Sequence, residues 1–240
     1  MRRFLPELLA LSASSPFVEA VDSGLHSART QIFTRMFPRC GIPDAYDGWQ
    51  GFEDYVSFLY RTGSIDEHTQ LWWSVRPHLA YPTVEIRIMD AQPDLAESQS
   101  LAALAYALAA RSARAHDEGE PLPDLPHRLL EENMWRAIRY GLTDGLIDFE
   151  RGEVVPARAR LEELIDLDRG DVLPARARVE RLIEWVLPVA EEIGAAAWLR
   201  LPAQNAAERQ IERRAQGASL AEIYAEQVKG LAYGPGGTRA

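Results

Sequence analysis

The sequence predicts a mostly helical α+β fold with one antiparallel hairpin set among the helices. Three observations carry this prediction. Leu95, Leu101, Ala102, Leu104, Ala105, Leu108, Ala109 and Ser112 recur at steps of three and four, which is one face of a long helix. Strand-like alternation with period two is concentrated in two neighbouring runs, 71–76 and 83–90. The chain of 240 residues is 47% hydrophobic, enough to bury a sizeable core and too much for a disordered chain. We expect a single domain over 1–232 and a disordered tail over 233–240.

The elements follow in order. Phe4 to Leu11 is apolar behind Arg2 and Arg3, but Pro6 and Glu7 interrupt it, so it does not read as a signal peptide. Ser12-Ala13-Ser14-Ser15-Pro16 reads as a helix end followed by a turn. A helix is expected at 49–61. The hairpin comes next, with Pro77 and Pro82 bounding its loop. Leu71, Trp73 and Val75 should share a core face with Val84, Ile86 and Ile88. The opposite face then carries Trp72, Ser74, Arg76, Glu85, Arg87 and Met89. The long helix is expected over 94–116, capped by Asp94, with Glu97 completing a capping box. Gly119, Pro121, Pro123 and Pro126 make 118–126 a loop. A further helix over 127–140 should stop at Gly141, with Trp135, Ile138 and Leu142 as its core stripe. Helices are also expected at 175–194, 203–216 and 220–231.

The stretch 151–165 recurs eighteen positions on as 169–183. Eighteen residues is five helical turns, so the copy keeps helical phase, although Pro156 and Pro174 argue against one continuous helix. Two copies are too few for a solenoid, and the plain reading is a tandem duplication at the surface.

Charge and composition narrow the function. With 26 Lys+Arg against 36 Asp+Glu, the net charge of −10 offers no basic excess for phosphate backbones, so no nucleic-acid partner is expected. No run reaches the roughly 18 apolar residues of a membrane span. The single cysteine, Cys40, excludes an intrachain disulfide and a Cys-based zinc cluster, suits a reducing cytoplasm, and is read as inert. The five histidines show no metal-ligand spacing.

Two patterns could carry chemistry. Glu85 and Arg87 point the same way from one strand, and Arg76 can face them across the pair. A carboxylate can hold a divalent cation, and arginines clamp carboxylate or phosphate. The same set also reads as plain cross-strand ion pairs. Asn133, Arg136 and Tyr140 lie at i, i+3 and i+7, one helix face that could present an amide, a cation and a phenol to a ligand or simply to solvent.

Several motifs bear a resemblance. Leu9-Ala10-Leu11-Ser12-Ala13-Ser14-Ser15-Pro16 and Ser27-Ala28-Arg29-Thr30-Gln31-Ile32-Phe33 resemble segments of the type 2 glutamate–cysteine ligase family, the ATP-dependent carboxylate–amine ligases. So do Leu71-Trp72-Trp73-Ser74-Val75-Arg76-Pro77, the run 82–90, and 132–141. They stand in the family's order and cover most of the chain from Leu5 to about Gly194. The resemblance implies part of a glutamine-synthetase-like antiparallel sheet backed by helices. It implies ATP and Mg2+, and activation of a glutamate carboxylate as an acyl phosphate that an amine such as cysteine attacks. By motif position, Glu85 would be a metal ligand and Arg76 and Arg87 the catalytic cations. Arg29, Asn133, Arg136 and Tyr140 would be on the substrate side. No segment resembles the family's glutamate-rich opening strand or its His-Val-His-Val-Gly-like strand, and Ser74 stands where the family has aspartate. Two expectations follow. One is a working ligase whose missing strands come from a partner chain or a homo-oligomer. The other is an inactive truncated homologue acting as a binding or partner subunit.

Overall fold

The structure is a computed structural model, and it describes residues 1–119, 124–148, 153–156, 187–200 and 202–233. Helix α1, Leu5–Ser12, is buried on every side. Apart from Glu7 and Ser12 its side chains are apolar, as a central core helix needs. It packs on α5, His127–Tyr140, through Leu130, Met134, Ala137 and Ile138. The long α4, Leu95–Asp117, adds Leu101, Leu104, Ala107 and Leu108 to the same core. Asp94 caps α4 as expected, its Oδ1 accepting from the Ala96 and Glu97 amides at 2.8 and 3.1 Å. Glu97 does not close the box; its carboxylate pairs with Arg209 at 2.6 Å instead. Trp135 is 46% exposed, so the core stripe of α5 runs through Met134, not Trp135.

A second, smaller core lies under α3, Gly48–Arg61, where Phe52, Val56 and Leu59 pack with Ile65, Leu71 and Trp73. Between the cores the chain forms short strands. β1, Phe17–Val18, pairs antiparallel with β2, Val21–Asp22. After α2, Ala28–Met36, the strand β3, Cys40–Gly41, pairs in parallel with β4, Trp72–Trp73. The expected hairpin is present as β5, Val75–His78, against β6, Thr83–Ile86, with Val75 opposite Ile86, Arg76 opposite Glu85, Pro77 opposite Val84 and His78 opposite Thr83.

The hairpin is shorter than the alternation suggested, and the chain kinks at Ser74. There the Ser74 amide donates to Gly41 O at 2.7 Å while the Ser74 carbonyl accepts from the Arg87 amide at 2.8 Å. The expected common face therefore splits. Leu71 and Trp73 join the α3 core, Val75 and Ile88 join the main core, and Val84 is 51% exposed.

After Gly141 comes a hairpin that the sequence analysis did not foresee: β7, Gly145–Asp148, against β8, Glu153–Pro156. The rest of the tandem repeat and the tail from 234 lie outside the described residues. Of the helix expected at 175–194, residues 187–192 are helical and 175–186 lie outside the described set. The last two helices are α6, Ala206–Ala215, and α7, Leu220–Tyr233. Asn205 docks α6 on α1. Its side chain caps the Glu208 amide and donates to Ala10 O, each at 2.9 Å.

Candidate functional site

Arg76 is the anchor of the hairpin. Position 76 faces Glu85 in the register, and the guanidinium Nε donates to Glu85 Oε2 at 2.6 Å. Its Nη1 turns inward and donates to the carbonyls of Thr69 and Leu71, both at 2.8 Å, and to that of His68 at 3.4 Å. The residue is 8% exposed. A buried cation held this way through Nε and Nη1 ties the 68–71 turn to the strand, and little of it faces solvent. Glu85 also meets Arg87 Nη1 at 3.6 Å. The Arg87 guanidinium lies 5.7 Å from the centre of the Phe33 ring, a cation–π geometry, and remains partly exposed. Of the two hairpin arginines, Arg87 keeps donors for a ligand.

Arg29 reaches from α2 to the segment just past β6. Its Nη2 donates to Arg87 O at 3.3 Å and its Nη1 to Ile88 O at 3.5 Å. Nη1 also pairs with Asp90 Oδ1 at 3.2 Å. The structure thus brings Arg29, Arg76, Glu85 and Arg87 to one end of the hairpin.

The other three expected residues gather elsewhere. Asn133 is buried, and its amide clasps the backbone of Ile147. The side-chain N–H donates to Ile147 O at 2.9 Å, and the Ile147 amide donates to the side-chain oxygen at 2.6 Å. Arg136 donates to Gly145 O at 3.3 Å, and Tyr140 lies under Arg139 with the guanidinium 5.6 Å from its ring centre. Asn133 and Arg136 seat β7 against α5. No hydrogen bond or ion pair among the described residues joins them to the hairpin set.

A small cleft of about 170 Å³ adjoins the kink at Ser74, lined by Gln31 and Arg35 of α2, Cys40, and Glu131 and Trp135 of α5. Sequence reasoning passed over this cleft because its walls come from four separate segments. Burial pushes the Cys40 thiol above its usual pKa, and Arg87 and Arg39 only partly offset this. That agrees with an inert cysteine.

Magnesium takes near-octahedral oxygen ligands, usually one or two carboxylates with substrate phosphates. Among the described residues no group of three or more His, Cys, Asp or Glu side chains could hold a metal. Glu85 is already paired with two guanidiniums. This donor set does not fit a resident magnesium ion. What it offers instead is two partly exposed guanidiniums, those of Arg29 and Arg87, a chemistry suited to an anionic ligand.

A family model described as glutamate-cysteine ligase family 2 matches residues 1–222. The chain belongs to this family. It is 37% identical over 238 residues to a Solibacter usitatus protein named "Putative glutamate--cysteine ligase 2", covering 97% of this chain and 57% of that protein. A Gloeobacter violaceus protein of the same name is 35% identical over 235 residues, covering 96% and 58%. One from Sorangium cellulosum is 44% identical over 158 residues, covering 66% and 42%. The chain therefore spans a little over half the length of the first two relatives. Among the described residues no helix is long and apolar enough to cross a membrane.

Proposed function

We propose that this member of glutamate–cysteine ligase family 2 contributes the arginine-bearing portion of an ATP-dependent carboxylate–amine ligase. The observation that carries the reading is the convergence of Arg29 and Arg87 on one strand end, with Arg76 and Glu85 locking that strand in place. In the reaction, a glutamate carboxylate oxygen attacks the γ-phosphorus of ATP and ADP leaves. The amine of an acceptor such as cysteine then attacks the acyl carbon. The C–O bond to phosphate breaks, phosphate departs, and the nitrogen gives up a proton. Both steps move negative charge onto phosphoryl and carboxyl oxygens, which preorganised guanidiniums stabilise. Arg87 and Arg29 are assigned to those oxygens, and Glu85 serves the arginines. Magnesium would accompany ATP through its phosphates and is given no step here.

The alternative, a non-catalytic subunit, is favoured by the metal-poor donor set of the described residues. The experiment is an assay of the purified chain with magnesium-ATP, glutamate and cysteine, following ADP and the γ-glutamyl product by mass spectrometry. Product formation that Arg87→Lys abolishes supports the ligase. Anion binding without product supports the subunit reading.

A further inference from the structure

We propose that Asp90 is a positioning residue whose carboxylate holds Arg29 at two points and so aims its guanidinium at the ligand. The inference deepens the reading above and rests on Arg29 meeting a substrate anion. The Asp90 side chain is 2% exposed, whereas that of Arg29 is 44% exposed. Asp90 Oδ1 accepts from Arg29 Nη1 at 3.2 Å, the direct hold. Its Oδ2 accepts from the Ser14 amide at 2.9 Å and the Ser15 hydroxyl at 2.8 Å. Ser15 Oγ in turn accepts from the Arg29 amide at 3.2 Å, so the same carboxylate also fixes the Arg29 backbone.

The chain just past β6 reinforces this. Asp90 follows Arg87 and Ile88, and the carbonyls of both accept from Arg29. Arg29 is therefore held both by the Asp90 carboxylate and by the backbone just before it. A guanidinium carries five N–H groups. Three acceptors engage Nη1 and Nη2 of Arg29, and the side chain stays 44% exposed. A carboxylate that is 2% exposed and already receives three donors is closed off from a ligand in solution. Its effect on binding has to pass through Arg29.

Two readouts on the full chain test this. The first is nitrogen-15 NMR of the Arg29 guanidinium, which reports rotation about the Cζ–N bonds. The second is calorimetric titration with inorganic pyrophosphate. Wild type should show slow guanidinium rotation, and Asp90→Asn should show fast rotation. Asp90→Asn and Arg29→Lys should each weaken pyrophosphate by about tenfold, the loss of one charge-assisted contact. The double variant should be no weaker than either alone, because one route carries both effects. Ser15→Ala, which removes only the backbone hold, covers the case in which Asp90→Asn fails to fold. It should weaken pyrophosphate less, with rotation partly released. Unchanged rotation in both Asp90→Asn and Ser15→Ala, or independent and multiplying losses in the double variant, would overturn the proposal. Released rotation with no pyrophosphate binding even in wild type would leave the hold on Arg29 standing but overturn its aim at an anion, and the anion-site reading with it.

Discussion

At the scale of single residues, His26 makes a direct test of the packing. Its imidazole sits beside Gly141, where an added Cβ would come within 2.4 Å of both His26 Nδ1 and Asn205 Nδ2. Gly141 has φ +55°, so glycine is needed there for backbone and space alike. Burial, reinforced by Arg139 and opposed by Asp22, lowers the His26 pKa to about 4. The neutral ring is therefore the folded form, and the unfolded chain takes up a proton first. The stability is complete above pH 6.5, falls as the pH drops from about 6.5 through 4, and levels off below. The loss should total about 1–3 kcal/mol after allowance for the partly screened ring. Urea melts from pH 8 to 4 should show it, and His26→Leu should flatten the dependence. Arg76 gives a second test. Its four acceptors require the planar fork, so Arg76→Lys should lower stability by about 2–3 kcal/mol in the same melts. A change below about 0.5 kcal/mol would place it among ordinary surface pairs.

At the scale of elements, β7 is held by an amide. Asn133→Ala leaves the partly buried Ile147 N–H and C=O without the Asn133 partner, and should cost about 1–3 kcal/mol. Hydrogen exchange should show faster opening of the Ile147 amide, while unchanged protection would mean that α5 does not seat the strand. The 3.6-residue period gave α4 and α5 correctly because both have one apolar side facing one core. The hairpin was legible for the same reason at period two, but its length was not. The kink at Ser74 depends on Gly41, more than thirty residues away, and no local pattern reports a parallel partner of two residues. The β7–β8 hairpin was hidden because β8 falls inside a repeat whose proline and charge spacing resembled a surface duplication, while β7 lies just before it. Asn133 and Arg136 were correctly placed together on α5, but their backbone partners lie beyond Gly141, where the sequence gives no sign of a strand. The pair Glu85 and Arg87 was legible because strand geometry alone sets it. The hold of Asp90 on Arg29 was not, since it joins three segments far apart in the chain.

At the scale of the whole molecule, β5 and β6 form a sheet of their own, with no third strand among the described residues. Val84 and Tyr81 are exposed at 51% and 65%. Pro77 lacks an N–H and so protects the β5 edge, whereas β6 has no such guard. The chain should associate at micromolar concentrations, and Val84→Lys should reduce that. Light scattering reads both, and a monodisperse wild-type monomer would refute it. The central claim is that Arg87 and Arg29 form an anion site organised by Glu85, Arg76 and Asp90. Calorimetric titration of magnesium-ATP into wild type, Arg87→Lys and Glu85→Gln, with thermal melts alongside, tests it most directly. Wild type should bind, and each substitution should weaken binding by about ten- to a hundredfold, with a largely retained melting temperature for Arg87→Lys. Equal affinity in all three proteins, or no binding in wild type, would contradict it.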